Sequence, residues 1–409
     1  MTTIPRRGAI VVASLFTTLF LVFGSGYNTA GVFVAPLVAQ FGWSRAQVSL
    51  LQTTVALAAG LVVPGVGWLL DRVEARVTIV AGAVLAGAGF LVASRASSLS
   101  TMLGAYALVG IGLGAATLLP ASLVIANWFG ARRGLALGIV MLGTSTGGMV
   151  MTLVASAVIA RAGWRAAYVA LALPILVVVV PLVAATVRSR PAADVAAAES
   201  DALGLEVGAA LRARSFWLVG VVQFVYGFAA GGTTVHAIPH FIDLGYGAER
   251  AAFLMSLVLG IAGAGKLATG ALADRISARR ALVLDLVVAA TGMTCLIRAR
   301  QAALAAAFVV LYGIAVGAPL TLVPLVIAES LGLRRFGSLS GLAGIFNILG
   351  AAAGPVLAGR IFDATGSYAS AFALYGVALL VGAAATAGCV PLRAATPTRI
   401  RVAGVAGGG

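Results

Sequence analysis

Apolar residues along this chain come in long runs, cut by short charged or Gly/Pro-rich links. A helix needs roughly 20 apolar residues to cross a bilayer, and the links divide the chain into twelve such runs. They lie near 9–36, 46–70, 77–96, 103–127, 134–160, 166–187, 216–242, 251–273, 281–298, 302–328, 337–361 and 368–391. The long polar interruption is 188–215, where Asp194, Glu199, Asp201 and Glu206 mingle with Arg188, Arg190, Arg212 and Arg214. The pattern predicts an all-α membrane protein with twelve transmembrane helices. A six-helix N-terminal half covers 1–187, a linker 188–215, and a six-helix C-terminal half with a short tail 216–409. The first run follows Arg6 and Arg7 as a secretory signal would, but it is too long for a signal's apolar region and no small-residue cleavage site closes it.

Composition agrees with a bilayer as solvent. With 61% hydrophobic and 10% charged residues in 409, the chain has more apolar surface than a soluble core could bury. The net charge of +15 does not imply nucleic acid, because the arginines sit in short clusters between apolar runs and form no separate basic domain. Their distribution orients the chain. With the N-terminus inside, eighteen arginines fall on one face of the membrane and eight on the other. Basic residues are retained on the cytoplasmic side, so both termini are expected in the cytoplasm and the protein in the inner (plasma) membrane. Cys295 and Cys389 lie inside apolar runs and imply neither disulfide nor metal framework, and no cofactor is implied.

One short link returns. Gly67-Trp68-Leu69-Leu70-Asp71-Arg72-Val73-Glu74-Ala75-Arg76 reappears 203 residues later as Gly270-Ala271-Leu272-Ala273-Asp274-Arg275-Ile276-Ser277-Ala278-Arg279. The same offset carries Gly110 onto Gly313, Gly114 onto Gly317, Arg132 onto Arg335, Gly147 onto Gly350 and Gly163 onto Gly366. The chain is a tandem duplication. Two such halves in the same order can pack about an axis along the membrane normal, with a cavity between them.

The register exposes where the halves differ. Lys266 is the lysine among 27 basic residues, and its repeat partner is Val63. It lies in helix eight, eight residues before Asp274, roughly 12 Å from the helix end at about 1.5 Å per residue. A cation at that depth is costly and generally faces a cavity or a partner. Its helical neighbours Ala262, Gly263, Thr269 and Gly270 are small and leave room for a ligand. Lys266 is thus a candidate anchor for an anionic substrate; the alternative is a stem that snorkels toward the interface. Tyr27, Asn28, Thr144, Ser145, Tyr226, Tyr312 and Asn347 are further polar residues at plausible midplane depth, either around the same site or in interhelical hydrogen bonds. His236 and His240, four apart at the outer end of helix seven, are candidates for a proton-sensitive gate or plain interfacial residues; Pro239 between them and the lack of a third ligand argue against a metal. Asp285, whose repeat partner is Gly82, is a candidate proton site, although an ion pair with Arg279 or Arg280 is the preferred reading.

The Gly-x-x-x-Asp-Arg-x-x-x-Arg link resembles the signature loop of the major facilitator superfamily, after helix two and again after helix eight. The resemblance implies that superfamily's fold and assigns Asp71, Arg72, Arg76, Asp274, Arg275 and Arg279 to a latch that gates access. The aspartate would face a helix N-terminus and the arginines would hold carbonyls or acidic partners. Glu74 and Ser277 stand where a glycine is usual. Further words narrow the resemblance: Gly31-Val32-Phe33 with Phe41-Gly42-Trp43-Ser44-Arg45; Asn127-Trp128-Phe129 with Arg132-Arg133-Gly134-Leu135-Ala136; and Arg335-Phe336, Gly354-Pro355 and Gly359-Arg360-Ile361-Phe362-Asp363. They are similar to the monocarboxylate transporters and the bacterial oxalate–formate exchangers. The resemblance implies a basic residue in helix eight, usually arginine, that binds the substrate carboxylate, and Lys266 falls at what looks like the matching position. Animal members also carry an acidic residue one turn earlier and a lysine in helix one; this chain has Ala262 and Asn28 there.

The resulting expectation is a secondary transporter, not an enzyme, that moves a small lactate- or pyruvate-like carboxylate by alternating access with protons as the coupling ion. An oxalate/formate-type anion exchanger is the alternative, and an amphiphile exporter a third.

Overall fold

The computed structural model describes residues 6–70, 72–129, 133–188, 204–332 and 335–391. Twelve spans follow in order: α1 (6–41), α2 (Arg45–Leu70), α3 (Ala75–Arg95), α4 (99–128), α5 (133–162), α6 (164–186), α7 (Arg214–Asp243), α8 (Ala248–Ile276), α9 (Ala278–Ile297), α10 (302–331), α11 (Phe336–Thr365) and α12 (Ala369–Ala387). Each lies within about five residues of the position read from apolar runs, because a bilayer selects spans by local transfer free energy. Ten stretches are individually long and apolar enough to cross. One of these, 51 residues long, breaks at Gly163 into α5 and α6, and the bent pair Ala302–Gly317 and Pro319–Leu331 is one more span.

The duplication is visible in the backbone. Gly163 and Gly366 both turn the chain with positive φ, 79° and 70°, as do Gly42 and Gly245, 67° and 98°, at the same 203-residue offset. Only glycine takes such angles without steric cost. Close approach repeats as well: Gly147 lets α5 rest on the α1 backbone at Phe20, and Gly350 lets α11 rest on the α7 backbone at Phe224.

The halves meet where α2 faces α11, α5 faces α8 and α1 faces α7. Along α2 the contacts run from Ala46 against Gly359, through a Thr53 hydroxyl donating to the Ala352 carbonyl at 2.6 Å, to Gly60 against Ile348. Along α8 they run from Gly260 against Met149 to Lys266. Nearer the repeated loops the described glycines are open: a Cβ added at Gly65, Gly138, Gly341 or Gly344 would meet nothing within 4 Å. Residues 204–212, ahead of α7, dock on the second half. Leu205 N–H donates to the Leu331 carbonyl at 2.9 Å, a short helix spans Val207–Arg212, and Glu206 accepts from Arg335 at 2.9 Å.

Candidate substrate site and the two ends of the interface

Lys266 sits on α8 where that helix faces α5. Its stem lies along Gly317 of α10, whose missing Cβ makes the space; an atom there would be 3.0 Å from Lys266 Cγ. The side chain does not run along its own helix to the interface. It crosses to the other half, where Nζ donates to Thr144 Oγ1 at 2.9 Å and Ser145 Oγ at 2.8 Å. An ammonium has three donors, so one is left for a ligand, and among the described residues no carboxylate pairs with it.

Asn28 joins the group from α1. Its side-chain amide donates to the Thr144 backbone carbonyl at 3.3 Å, and its backbone carbonyl accepts from the Thr152 hydroxyl at 3.4 Å. Gly148 opposite has no side chain to displace it. Lys266, Thr144, Ser145 and Asn28 thus form one polar cluster, supplied by both halves.

The other sequence candidates do not all converge there. Asn347 of α11 is the repeat counterpart of Thr144, but its amide donates to the Gln223 carbonyl at 3.1 Å within its own half. Tyr226 donates to the Val316 carbonyl at 2.8 Å and, with Tyr312, lines a separate cavity that contains Asp285. Tyr27 stacks on Phe23 at 5.3 Å between ring centres. Helical periodicity places residues at the same depth; which neighbour they meet depends on helix rotation, which depth does not specify.

Asp285 also departs from the preferred expectation. It forms no ion pair with Arg279 or Arg280, and its Oδ2 is buried with no hydrogen-bond partner. Arg279 instead donates to the Cys389 carbonyl at 2.8 Å.

At the repeated loops the described residues show local anchoring. Arg72 lies 3.7 Å over the Trp68 ring, and Arg76 pairs with Glu74 at 2.6 Å on the surface, so the residue standing in for glycine becomes the arginine's partner. Arg275 is exposed. Asp71 and the side chain of Asp274 lie outside the described residues. Ser277 adopts φ 90°, and the α9 N-terminus receives Glu329, whose carboxylate accepts from Ala278 N–H at 3.0 Å.

The opposite end holds a network that sequence reasoning missed. Arg45 at the start of α2 forms a bidentate pair with Asp243 of α7, Nη1 to Oδ2 at 2.6 Å and Nη2 to Oδ1 at 2.8 Å. Its guanidinium stacks 3.7 Å over Phe362, and Nη1 also donates to the Tyr368 hydroxyl at 2.9 Å. The Arg45 and Ala46 N–H groups, at the N-terminus of α2, donate to Asp363 of α11 at 3.0 Å each. The arrangement expected of the loop aspartate, a carboxylate on a helix N-terminus, is made here across the two halves.

His236 completes that network. Nε2 is within 2.9 Å of Ser49 Oγ and 2.8 Å of the Pro355 carbonyl, and Nδ1 is 2.9 Å from the Tyr368 hydroxyl. His240 turns elsewhere, with Nε2 3.0 Å from the Leu296 carbonyl. Both rings are buried. The signal available in the sequence was slight: Arg45 among the few arginines on its face, with Asp243 and Asp363 at span ends.

The model of the Major Facilitator Superfamily matches residues 15–347 and 243–405, most of the chain. The chain belongs to the major facilitator superfamily. It is a multi-pass membrane transporter of that fold. Among curated proteins it is similar to monocarboxylate transporter 13 of Rattus norvegicus, 27% identical over 381 residues that cover 92% of this chain and 87% of that protein. It is also similar to an uncharacterized MFS-type transporter of Bacillus subtilis, 25% identical over 389 residues, covering 90% and 91%. Among solved structures, a bacterial homologue of the human lysosomal transporter Spinster, in an inward-facing and occupied conformation, superposes with a TM-score of 0.73 at 19% identity, covering 94% of this chain and 97% of that one. That likeness concerns the fold.

Proposed function

We propose that this transporter moves small monocarboxylates of the lactate or pyruvate kind by alternating access, with protons as the coupling ion. The observation that carries the reading is the Lys266 ammonium. It is held at the half–half interface by Thr144 and Ser145, keeps a free donor, and has no acidic partner among the described residues. A carboxylate can take the free donor while the Ser145 hydroxyl, which accepts from Nζ, donates to its second oxygen; the Thr144 hydroxyl already donates to the Met141 carbonyl at 2.8 Å. The apolar tail of a short acid would rest on the small residues around Gly263. Likeness to a monocarboxylate transporter over most of the chain supports the substrate class.

Arginine distribution supports a topology in which the repeated loops and both termini face the cytoplasm, with the chain in the cell inner membrane. The Arg45 end then faces outward, and the molecule described here is shut outside and loosened inside. Opening the other way requires the Arg45–Asp243 pair to part.

Uptake of labelled lactate and pyruvate into proteoliposomes tests the reading, comparing wild type, Lys266→Ala and Lys266→Arg. Uptake should fall to background in the alanine variant and recover in part with arginine; full transport by the alanine variant would remove the anchor. Anion exchange is the second reading, favoured by Ala262 and Asn28, which lack the charges of animal monocarboxylate transporters. It predicts uptake that requires internal anion and ignores a pH gradient.

A further inference from the structure

Asp285 is 5% exposed, its Oδ2 lacks any hydrogen-bond partner, and it lines a cavity of ≈ 10 Å³ with Tyr226, Ala230, Tyr312, Val316 and Pro319. The duplication shows what is unusual about this. In the first half its counterpart Gly82 sits tight against α4, where an added Cβ would be 2.7 Å from the Gly112 carbonyl and 2.8 Å from Ala116 N. In the second half those three positions hold Asp285, Ala315 and Pro319. A closed glycine contact has been replaced by a carboxyl group and a water-sized space.

The chemistry of that space selects the ligand. A metal cation needs several oxygen donors, and this lining is mainly apolar, with the Tyr226 hydroxyl already committed to the Val316 carbonyl. Among the described residues, other elements bring no compensating charge to the cavity. α7 contributes Tyr226, α10 contributes Tyr312 and α12 contributes Leu379. Lys266 of α8 is not in the lining. On α9 itself, Arg279 is bound to the Cys389 carbonyl and Arg280 is exposed. An unpaired, unsolvated carboxylate is strongly disfavoured in such surroundings.

Position links this group to the anion cluster. α10 bends by 41° between Gly317 and Pro319. Gly317 carries the Lys266 stem on one face, while Val316 and Pro319 line the Asp285 cavity on the other. We infer that Asp285 is the transporter's proton-binding carboxyl, held as the neutral acid in this conformation and coupled to the anion at Lys266 through the break in α10. Losing the proton leaves a carboxylate that this cavity cannot hold dry, so the cavity has to hydrate and α10 has to shift beneath Lys266. The inference rests on the proposed carboxylate transport.

The test separates the two. In proteoliposomes holding the full chain, Asp285→Asn is expected to lose lactate accumulation driven by an inward pH gradient by at least about tenfold while keeping lactate–lactate exchange at equal pH. Lys266→Ala should lose both. Gradient-driven accumulation at wild-type level in Asp285→Asn would overturn the proton assignment and leave carboxylate transport standing. No carboxylate uptake by the wild type would overturn the transport reading itself. A second measurement needs no variant: an apolar carbodiimide, which reacts with protonated carboxyl groups, should label Asp285 in the wild type at neutral pH, with labelling lost as pH rises. Absence of label at Asp285 in the folded chain, when the same reagent labels it after denaturation at acid pH, would also overturn the assignment.

Discussion

The two ends of the half–half interface are built on opposite principles. At the Arg45 end, charged and aromatic groups from both halves close on one another: Arg45 with Asp243, Phe362 and Tyr368, Asp363 on the α2 N-terminus, and His236 between Ser49 and Tyr368. At the repeated-loop end, the anchors described stay within a half, Arg76 on Glu74, Arg279 on the Cys389 carbonyl and Glu329 on the α9 N-terminus. Gly65, Gly138, Gly341 and Gly344 at that end have open space around them. One end ties the halves together and the other ties each half to itself. The polar cluster at Lys266 lies where the first regime gives way to the second.

The largest effect that would sharpen this contrast is at the boundary itself. Replacing Lys266 by alanine removes a cation with charge-assisted hydrogen bonds worth about 1.5–3 kcal/mol each, so carboxylate uptake should fall by about 100-fold or more. Initial rates at subsaturating substrate would measure it. Next is the latch. Arg45→Ala deletes an ion pair whose side chains are 19% and 31% exposed, and after allowing for solvent screening it should favour opening at that end by about 1–2 kcal/mol. A cysteine placed at Ala352 should then react faster with a water-soluble maleimide in Arg45→Ala than in the wild type; unchanged labelling would argue against a latch.

Gly317→Ala acts from beneath the cluster. The new Cβ would lie 2.5 Å from the Ala262 carbonyl and 3.0 Å from Lys266 Cγ, a strain of about 1–3 kcal/mol. It should raise the KM for carboxylate by roughly tenfold through displacement of the ammonium. Tyr368→Phe removes one hydroxyl shared by Arg45 and His236, at about 1 kcal/mol, and should lower the thermal midpoint modestly. The smallest effect concerns the other end. Burial pushes the Cys389 thiol up to about 11, against a smaller opposing pull from Arg279. The thiol form therefore persists through neutral pH, and Cys389 should resist maleimide at pH 7 while the partly exposed Cys295 reacts first.

Much of this was legible in the chain, for reasons that particular residues illustrate. Gly163 and Gly366 mark the same turn in both halves because a positive φ is a property of one residue. Lys266 stood out because Val63 occupies its counterpart. Asn28 and Ser145 do join it, but Tyr226, Tyr312 and Asn347 do not, and Asp285 was paired in expectation with Arg279, which binds the Cys389 carbonyl, or Arg280, which is exposed. Depth in the membrane is a one-dimensional quantity that spacing supplies; the azimuth of each helix is set by packing of the whole bundle.

By itself, then, the sequence determined the spans, the 203-residue duplication and the lone lysine within it, since each depends on local transfer free energy or on residue identity. Only the tertiary structure decided that Arg45 finds Asp243, 198 residues away, that Lys266 crosses to Thr144 and Ser145, and that Asp285 faces a cavity without a partner. A buried polar group's partner is chosen by which distant helix packs against it, and that choice belongs to the assembled bundle.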